Sequence, residues 1–254
     1  MFSLQGKRIL VTGASSGIGE GIARFAAKAG ASCLMLCGRD ESRLMEAINC
    51  IKESYPGTEL VPFLGDMNES NTITELCAKL KEKSWPLDGI VFSAGVDKTM
   101  PLKLTGEKIM TDLIRINSVM PFETMRLLLK NELVTDGASI IFISSVMGFL
   151  GQPGKIAYSA SKGALISAAK SLALELAPRR TRVNVLAPGI VETAMTKKIF
   201  SMLPEEANRK MLEMHPLGYG QPEDVAASAI FLLCDESKWI TGSTMVMDGG
   251  YSAH

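Results

Sequence analysis

Short apolar runs rich in Val, Ile and Leu recur along this chain, and longer stretches with apolar residues every three or four positions lie between them. The short runs are typical of buried strands, and the longer stretches are typical of amphipathic helices. Seven strands are predicted, at residues 7–12, 32–37, 59–64, 88–92, 139–144, 182–187 and 243–247. Because strands and helices alternate, the pattern predicts an α/β protein.

The helical stretches end near glycine or proline residues, as helices usually do. The first follows the first strand and ends at residue 29. The next three cover residues 41–54, 70–83 and about 105–130, the fifth ends at residue 177, and the last covers residues 221–234. Pro121 predicts a kink or break in the fourth of these helices, and Asn117 lies midway along it. An asparagine among apolar neighbours either marks a functional distortion of a helix or is simply a hydrogen-bonded polar residue.

The amino-acid composition indicates which classes of protein this chain can belong to. Hydrophobic residues make up 46% and charged residues 21% of the 254 positions, which is typical of a globular chain long enough for one α/β domain. Lys plus Arg equals Asp plus Glu at 27 each, which argues against nucleic acid or an anionic membrane as a partner. Since no apolar segment has the length of a signal or membrane-spanning helix, we expect a soluble cytoplasmic protein.

The cysteines and histidines do not have the spacing of a metal site, so no metal is expected. The histidines are His215 and His254, and the cysteines are Cys33, Cys37, Cys50, Cys77 and Cys234. We interpret the cysteines as reduced thiols of the core.

A glycine-rich turn follows the first predicted strand and leads into the first helix. Glycines allow a sharp turn and a close approach to a pyrophosphate, while the free N–H groups of a helix N-terminus favour an anion. The spacing is G-x-x-x-G-x-G rather than the general dinucleotide spacing G-x-G-x-x-G, so a tight structural turn is an alternative. The candidate cofactor-binding residues here are Gly13, Ser15, Ser16, Gly17, Ile18 and Gly19.

The ends of the second and third strands bear on the choice of cofactor. Arg39 follows the second strand, where an acidic residue is typical of NAD sites and an arginine can bind the 2′-phosphate of NADP(H). Asp40 comes next, and Arg39 also fits a solvated surface charge. Asp66, after the third strand, is a candidate either for contact with adenine or for a helix N-cap. On balance the sequence favours NADP(H).

Tyr158 and Lys162 are four residues apart on a predicted helix and therefore share one face. A tyrosine has a pKa of about 10 and needs a nearby cation to act as an acid or base near neutrality. Ser145, just after the fifth strand, is placed to hydrogen-bond a substrate oxygen while Tyr158 exchanges a proton with it. The three residues favour carbonyl and alcohol chemistry, although the Tyr–Lys pair alone also fits a half-buried ring and a solvated amine.

Two further patterns concern substrate and assembly. Residues 194–215 are rich in Met, Lys and Phe, which is typical of a mobile lid, although an amphipathic segment packed on the core would have the same composition. The lid residues predicted to cover an apolar chain are Ile199, Phe200, Met202, Leu203, Met211 and Met214.

Small residues on the Tyr158 helix predict close packing against a second helix, as in a dimer. They are Ala157, Ala160, Ala164, Ala168 and Ser171.

In this order, the motifs resemble the short-chain dehydrogenase/reductase family over residues 7–250. They are the turn at residues 12–19, Asn117, Ser145, the Tyr-x-x-x-Lys of residues 158–162, and the segment 188–193. The resemblance implies a Rossmann-type doubly wound parallel sheet of about seven strands with helices on both faces. It also implies that Tyr158 is the general acid/base and that Lys162 binds the nicotinamide ribose and lowers the tyrosine pKa. Ser145 would orient the substrate, and Asn117 would hold a water of the proton relay.

The resemblance implies further cofactor contacts at the ends of the fourth and sixth strands. They are Ser93, Ala94, Gly95, Pro188, Gly189, Val191 and Thr193. Ser93 stands where the family usually has an asparagine.

Within the family, the sequence is most similar to the 3-oxoacyl-[acyl-carrier-protein] reductases, notably over residues 215–225. This similarity implies NADPH-dependent reduction of a 3-oxoacyl thioester in fatty acid biosynthesis, by a homodimer or homotetramer, with an acyl carrier protein as a candidate partner. Arg179 and Arg180 fit the docking surface of those enzymes, and Arg179, Lys197 and Lys198 are candidates to meet the phosphate-bearing arm of the substrate. Residues 131–136, however, are acidic where a basic cluster is usual. A sugar-derived, steroid or other small ketone or alcohol and a non-catalytic NADP(H)-binding module are the alternatives.

Overall fold

The computed structural model describes residues 2–201 and 204–253, and at its centre is a parallel sheet of seven strands in the order β3-β2-β1-β4-β5-β6-β7. The strands are β1 (Arg8–Thr12), β2 (Cys33–Gly38), β3 (Glu59–Leu64), β4 (Leu87–Phe92), β5 (Val134–Ile143), β6 (Arg182–Pro188) and β7 (Thr244–Met247). The helices are α1 (Gly17–Lys28), α2 (Glu41–Ser54), α3 (Ser70–Glu82), α4 (Glu107–Ile114), α5 (Met120–Lys130), α6 (Ile156–Leu176), α7 (Ala194–Phe200), α8 (Glu205–Glu213) and α9 (Pro222–Leu233). Within the described residues, no helix is both long and apolar enough to cross a membrane.

Helices cover both faces of the sheet, so its central strands are buried on both sides. β6, for example, is buried along its whole length. On one face α1, α2 and α9 contribute to a core that includes Ile22 and Ala226. On the other face α3, α5 and α6 contribute to a core that includes Leu128 and Leu165. This arrangement confirms the Rossmann-type doubly wound α/β fold.

The sheet changes its direction of winding between β1 and β4. From β1 the strand order runs outward through β2 and β3, and from β4 it runs the opposite way to β7. The connections that leave β1 and β4 therefore diverge and open a crevice at the carboxyl ends of these strands. Ligands of open α/β sheets bind at such a point.

β5 begins earlier than the predicted strand at residues 139–144. Val134 already pairs with Leu87 of β4, and after a register shift the pairing resumes between Ser139 and Gly89. Gly137 has a φ of 80° within the irregular part, a conformation that glycine adopts readily. The apolar run therefore marks only the regular part of β5.

The helix predicted over residues 105–130 is divided into α4 and α5. A π-helical turn at Arg115–Val119 separates them and contains Asn117. Pro121 lies in the first turn of α5, where a missing N–H is tolerated. The N–H that proline lacks would have paired with the carbonyl of Asn117, which lies in the π-helical turn, so the irregularity is where the predicted kink or break places it.

All five cysteines are free thiols, but they do not all lie in the core as predicted. Cys37, Cys77 and Cys234 are buried, Cys33 is half-buried and Cys50 is exposed. Only one side of α2 packs against the sheet, so a residue on its outer side meets solvent.

Candidate active site

A cavity of about 1230 Å³ lies at the carboxyl ends of β1, β4, β5 and β6, in the crevice of the sheet. All but one of the residues predicted to bind the cofactor or to take part in catalysis line it. They are Gly13, Ser15, Ser16, Gly17, Ile18, Gly19, Arg39, Asp66, Ser93, Ala94, Gly95, Ser145, Tyr158, Lys162, Pro188, Gly189, Val191 and Thr193. The exception is Asn117, which is buried behind the wall.

The glycine-rich turn between β1 and α1 has no space for a side chain at two of its positions. A Cβ atom on Gly13 would lie 2.9 Å from Ala94 Cα, and one on Gly19 would lie 2.2 Å from the carbonyl oxygen of Gly13. Gly13 and Gly17 also have φ values of 68° and 57°. Ser16 precedes α1 without a side-chain capping bond, which leaves the first N–H groups of the helix for an anion. The turn therefore fits the pyrophosphate of a dinucleotide.

Charged side chains surround the cavity near the end of β2. The guanidinium of Arg39 lies 3.6 Å from the carboxylate of Asp66, and because both side chains are exposed this ion pair is weak. Asp40 caps α2 by accepting a hydrogen bond from the backbone N–H of Arg43 at 3.1 Å. Asp66 is not the N-cap of α3, since Glu69 holds that position. Both arginines line the cavity together with Asp40 and Asp66, so this end of it has two cations, each beside a carboxylate.

The loop after β4 is held against β1 through its backbone. The hydroxyl of Thr12 accepts hydrogen bonds from the backbone N–H groups of Ser93 at 3.1 Å and Ala94 at 3.2 Å. At Gly95 the loop lies so close to the next layer that a Cβ atom would be 3.2 Å from Asn117 Oδ1. These contacts do not depend on the side chain of Ser93, so the serine in place of asparagine leaves the loop anchored.

Ser145, Tyr158 and Lys162 face the same cavity. Ser145 follows β5, and its hydroxyl accepts a hydrogen bond from the backbone N–H of Met147 at 3.2 Å. Tyr158 and Lys162 lie one turn apart on α6, with Lys162 Nζ 5.8 Å from the centroid of the tyrosine ring. Lys162 Nζ also donates a hydrogen bond to the carbonyl of Ile143 at 2.9 Å. Strand β5 and helix α6 thus bring a hydroxyl, a phenol and an ammonium group together.

Asn117 connects three segments behind the cavity wall. Its side-chain oxygen accepts a hydrogen bond from the N–H of Val96, and its side-chain nitrogen donates to the carbonyl of Val96 and to Ser161 Oγ, each at 2.9 Å. The π-helical turn places this side chain between the loop after β4 and helix α6. The helix is therefore distorted at Asn117, and the oxygen and the nitrogen of its side chain are both hydrogen-bonded.

The segment after β6 forms another wall. Pro188 ends the strand, and Gly189 approaches the chain after β7 so closely that a Cβ atom would lie 2.8 Å from Asp248 Cβ. Thr193 precedes α7, and its methyl group would lie 3.1 Å from a Cβ atom on Gly17. The start of the predicted lid is therefore adjacent to the glycine-rich turn.

Known proteins are similar to this chain in sequence and in fold. A family model described as enoyl-(acyl carrier protein) reductase matches residues 13–252. The 3-oxoacyl-[acyl-carrier-protein] reductase of Thermotoga maritima is 35% identical over 97% of this chain and 98% of its own. The chain belongs to the short-chain dehydrogenase/reductase family. Carbonyl reductase family member 4 of Xenopus laevis is 36% identical over 96% of this chain and 97% of its own.

A solved dehydrogenase/reductase from Sinorhizobium meliloti matches with a TM-score of 0.89 at 31% identity, over 99% of this chain and 97% of its own. As a short-chain dehydrogenase/reductase, the protein is an oxidoreductase that acts on a CH–OH/C=O pair with a nicotinamide cofactor.

Burial has the largest influence on the pKa values of Tyr158 and Lys162. It raises the pKa of Tyr158 above its ordinary value, the carboxylate of Asp97 adds to the increase, and a hydrogen bond with Ser145 opposes it. Burial also lowers the pKa of Lys162 to about 8, with Asp97 acting in the opposite direction. The family resemblance implies that Lys162 opposes the increase in the pKa of Tyr158, and Lys162 Nζ lies 5.8 Å from the centroid of the tyrosine ring. Lys162 is charged, and able to favour a phenolate, below a pH of about 8.

Part of the predicted lid contacts the cavity. Phe200 at the end of α7 and Met211 of α8 line it, whereas Met214 is exposed and is not in the wall. Met202 and Leu203 lie outside the described residues, as do the side chains of Lys198 and Ile199. His215, after α8, is buried against Tyr251 with ring centroids 4.7 Å apart.

Arg179 lies far from the cavity of its own chain. Its Nε atom is 2.7 Å from Asp136 Oδ1, and its Nη2 atom donates a hydrogen bond to the carbonyl of Val134 at 2.6 Å. Val134 pairs with Leu87 at the start of β4, and the cavity is at the other end of β4, at Phe92. Five residue steps of a strand span roughly 17 Å. Within one chain Arg179 therefore does not meet a substrate arm at the cavity, and that prediction is wrong. Its positive charge is offset by Asp136 of the acidic segment 131–136.

Three charged residues that the sequence patterns did not single out also line the cavity, namely Arg43, Asp97 and Lys155. Lys155 Nζ lies 2.5 Å from Asp97 Oδ2, and the two residues are 58 positions apart in sequence. Lys155 precedes Tyr158 by three residues, a spacing that could have indicated it. Nothing in the local sequence around Asp97 indicates its partner.

Proposed function

We propose that this protein is an NADPH-dependent reductase that converts a ketone to a secondary alcohol. The observation that carries the proposal is the presence of Ser145, Tyr158 and Lys162 in one cavity with the glycine-rich turn. When bound, the nicotinamide supplies the hydride for the carbonyl carbon. The residues of the chain supply the proton and hold the substrate oxygen.

Each of these side chains then has a definite role. Tyr158 donates its phenolic proton to the substrate oxygen as negative charge develops there. Ser145 donates a hydrogen bond to the same oxygen and so orients the carbonyl. The ammonium of Lys162 stabilises the phenolate left behind, and Asn117 keeps α6 and the loop after β4 in a fixed relation.

NADPH is the proposed cofactor, rather than NADH. Arg39 and Arg43 line the cavity near the end of β2, where a 2′-phosphate would meet two guanidinium groups. The weak ion pair between Arg39 and Asp66 is readily exchanged for a doubly charged phosphate. Asp40 is engaged as the N-cap of α2, which leaves it less suited to bind a ribose hydroxyl.

The proposed substrate is a 3-oxoacyl thioester, which would place the protein in fatty acid biosynthesis. Relatives named as 3-oxoacyl-[acyl-carrier-protein] reductases, from Thermotoga maritima and Rickettsia prowazekii, match nearly the whole chain at 35% and 37% identity. Phe200 and Met211 give the cavity an apolar side, as an acyl chain requires. An acyl carrier protein is the candidate partner, with the exposed Lys197 of α7 as a candidate contact.

A small polar ketone, such as a sugar-derived one, is the second candidate substrate. The ion pair between Asp97 and Lys155 in the cavity wall favours it. An apolar chain against this pair would remove water without replacing the lost hydrogen bonds, which is unfavourable.

We expect the purified protein to consume NADPH faster with an acetoacetyl thioester than with cyclic ketones or keto-sugars, as followed by the loss of NADPH absorbance. A good rate with a keto-sugar and none with the thioester would reject the acyl substrate while leaving ketone reduction intact. Tight binding of NADPH without turnover on any of these compounds would reject the enzyme proposal and point to a non-catalytic binding module.

We also propose that the protein is a homodimer or homotetramer. On α6 the small residues Ala160, Ala164 and Ser171 are exposed, and on the same helix Leu174 is 78% exposed. A helix surface of this kind allows a second helix to approach closely. Light scattering at micromolar concentration is expected to give a multiple of 27.3 kDa, and a molecular mass of 27.3 kDa would contradict the proposal.

A further inference from the structure

An ion pair lies beside Tyr158, outside the catalytic set that the sequence predicted. Lys155 Nζ is 2.5 Å from Asp97 Oδ2 and 5.4 Å from the centroid of the Tyr158 ring. Lys162 Nζ is 5.8 Å from the same centroid. Two ammonium groups therefore lie at similar distances from the phenol, and one of them carries a counter-charge.

The backbone fixes this pair in place. Asp97 follows Val96, whose N–H and C=O groups are both hydrogen-bonded to the side chain of Asn117. The N–H of Met100 donates to the carbonyl of Gly154 at 2.8 Å, which joins the loop of Asp97 to the loop of its partner lysine. The side chains of the pair are only 18% and 10% exposed, so solvent and salt screen their charges weakly.

Charges at this distance have a large effect on a phenol. With an effective dielectric constant of about 20, a unit charge about 6 to 12 Å away shifts a pKa by about two units to about one unit. A cation favours the phenolate, and an anion disfavours it. Among the described residues, the charged groups that face Tyr158 are Lys155 and Lys162 from the side of α6 and Asp97 from the loop after β4. The charges of Asp97 and Lys155 offset each other. Removal of the carboxylate would therefore leave a full positive charge near Tyr158, and removal of the ammonium group would leave a full negative one.

We propose that Asp97 and Lys155 are positioning residues of the reaction, and that their ion pair sets the pH range over which Tyr158 and Lys162 work as a proton donor and its supporting cation. The inference rests on the ketone reduction proposed above. The pair acts through the charge that it presents to Tyr158 and does not itself transfer a proton. This electrostatic role explains why an ion pair of low exposure stands in the wall of a reaction cavity.

The test compares the pH dependence of kcat/KM for ketone reduction, at saturating NADPH, in four proteins. They are the wild type, Asp97→Asn, Lys155→Met and the double variant. Reduction needs a protonated Tyr158 beside a charged Lys162, so its rate falls as pH rises through their coupled pKa values. Asp97→Asn removes an anion and lowers both pKa values, and we expect the alkaline fall to move about one pH unit lower.

Lys155→Met leaves the carboxylate of Asp97 unpaired and raises the same pKa values. We expect the alkaline fall to move about one pH unit higher, and the double variant to return close to the wild type. Opposite shifts that cancel are a signature of charge, which a merely structural role of the pair would not produce. Shifts of the same sign in both single variants, or no shift in either, would overturn the inference.

Two controls keep this result separate from folding and from the proposed function. Lys108 and Asp112 form an exposed ion pair on α4, and Lys108→Met and Asp112→Asn should leave the pH profile unchanged. If the wild type reduces no ketone, the proposed function fails, but the inference can still be tested. The ultraviolet absorbance of phenolate in each NADPH-bound protein, minus that of its Tyr158→Phe derivative, titrates Tyr158 directly. The same opposite shifts are expected there, and their absence would overturn the inference independently of turnover.

Discussion

Replacement of Tyr158 by phenylalanine is expected to lower kcat/KM for ketone reduction by about 10²- to 10⁴-fold, the usual contribution of a positioned general acid. The variant loses the phenolic O–H that faces the cavity and keeps the aromatic ring, so the packing of α6 is preserved. Ser145 still donates a hydrogen bond to the substrate oxygen, but the proposed proton donor is lost. Steady-state rates at saturating NADPH, with the ketone that the wild type reduces best, give the ratio directly.

The matched control for this variant is Tyr55→Phe. Tyr55 follows α2 and is not among the residues that line the cavity, so its hydroxyl should be dispensable for turnover. The NADPH dissociation constant of Tyr158→Phe, measured by cofactor fluorescence, should stay within about threefold of the wild type if the loss is chemical. Wild-type turnover by Tyr158→Phe would show that another group is the acid.

Replacement of Arg39 by serine is expected to reduce the ratio of kcat/KM for NADPH to that for NADH by about 10- to 100-fold. A charge-assisted hydrogen bond to a phosphate contributes roughly 1.5–3 kcal/mol, which corresponds to this range. NADH lacks the 2′-phosphate, so its kcat/KM should change little. The ratio is obtained from initial rates with each cofactor at a fixed ketone concentration.

Arg126→Ser is the control for the general loss of a surface cation. Arg126 lies on α5 with Glu123 as its ion-pair partner and is not in the cavity wall, so the cofactor ratio should not move. Arg43→Ser tests whether the second guanidinium near the end of β2 contributes as well. Equal or better use of NADH by the wild type would contradict the assignment of Arg39 to the 2′-phosphate.

Local patterns predicted most of the fold. α2 and β3 have the predicted bounds, and most other strand limits differ by a single residue, because apolar runs and turn residues act over few positions. β5 is the exception, since its first residues carry Thr135, Asp136 and Gly137 and join the sheet only through pairing with a neighbouring strand. The π-helical turn around Asn117 was likewise predicted only as a distortion, because its form depends on contacts with two other segments.

The sequence by itself determined the features that lie within one element or one turn. The glycine-rich turn after β1 and the pair of Tyr158 and Lys162 on α6 depend on spacings of a few residues, which helix and strand geometry make predictable. Only the tertiary structure decided which charges surround them. Asp97 meets Lys155 across 58 positions, and Arg179 pairs with an acidic residue at the far end of the sheet instead of reaching the cavity. Such pairings depend on the order of the strands and the packing of helices on them, and hydrophobic periodicity specifies neither.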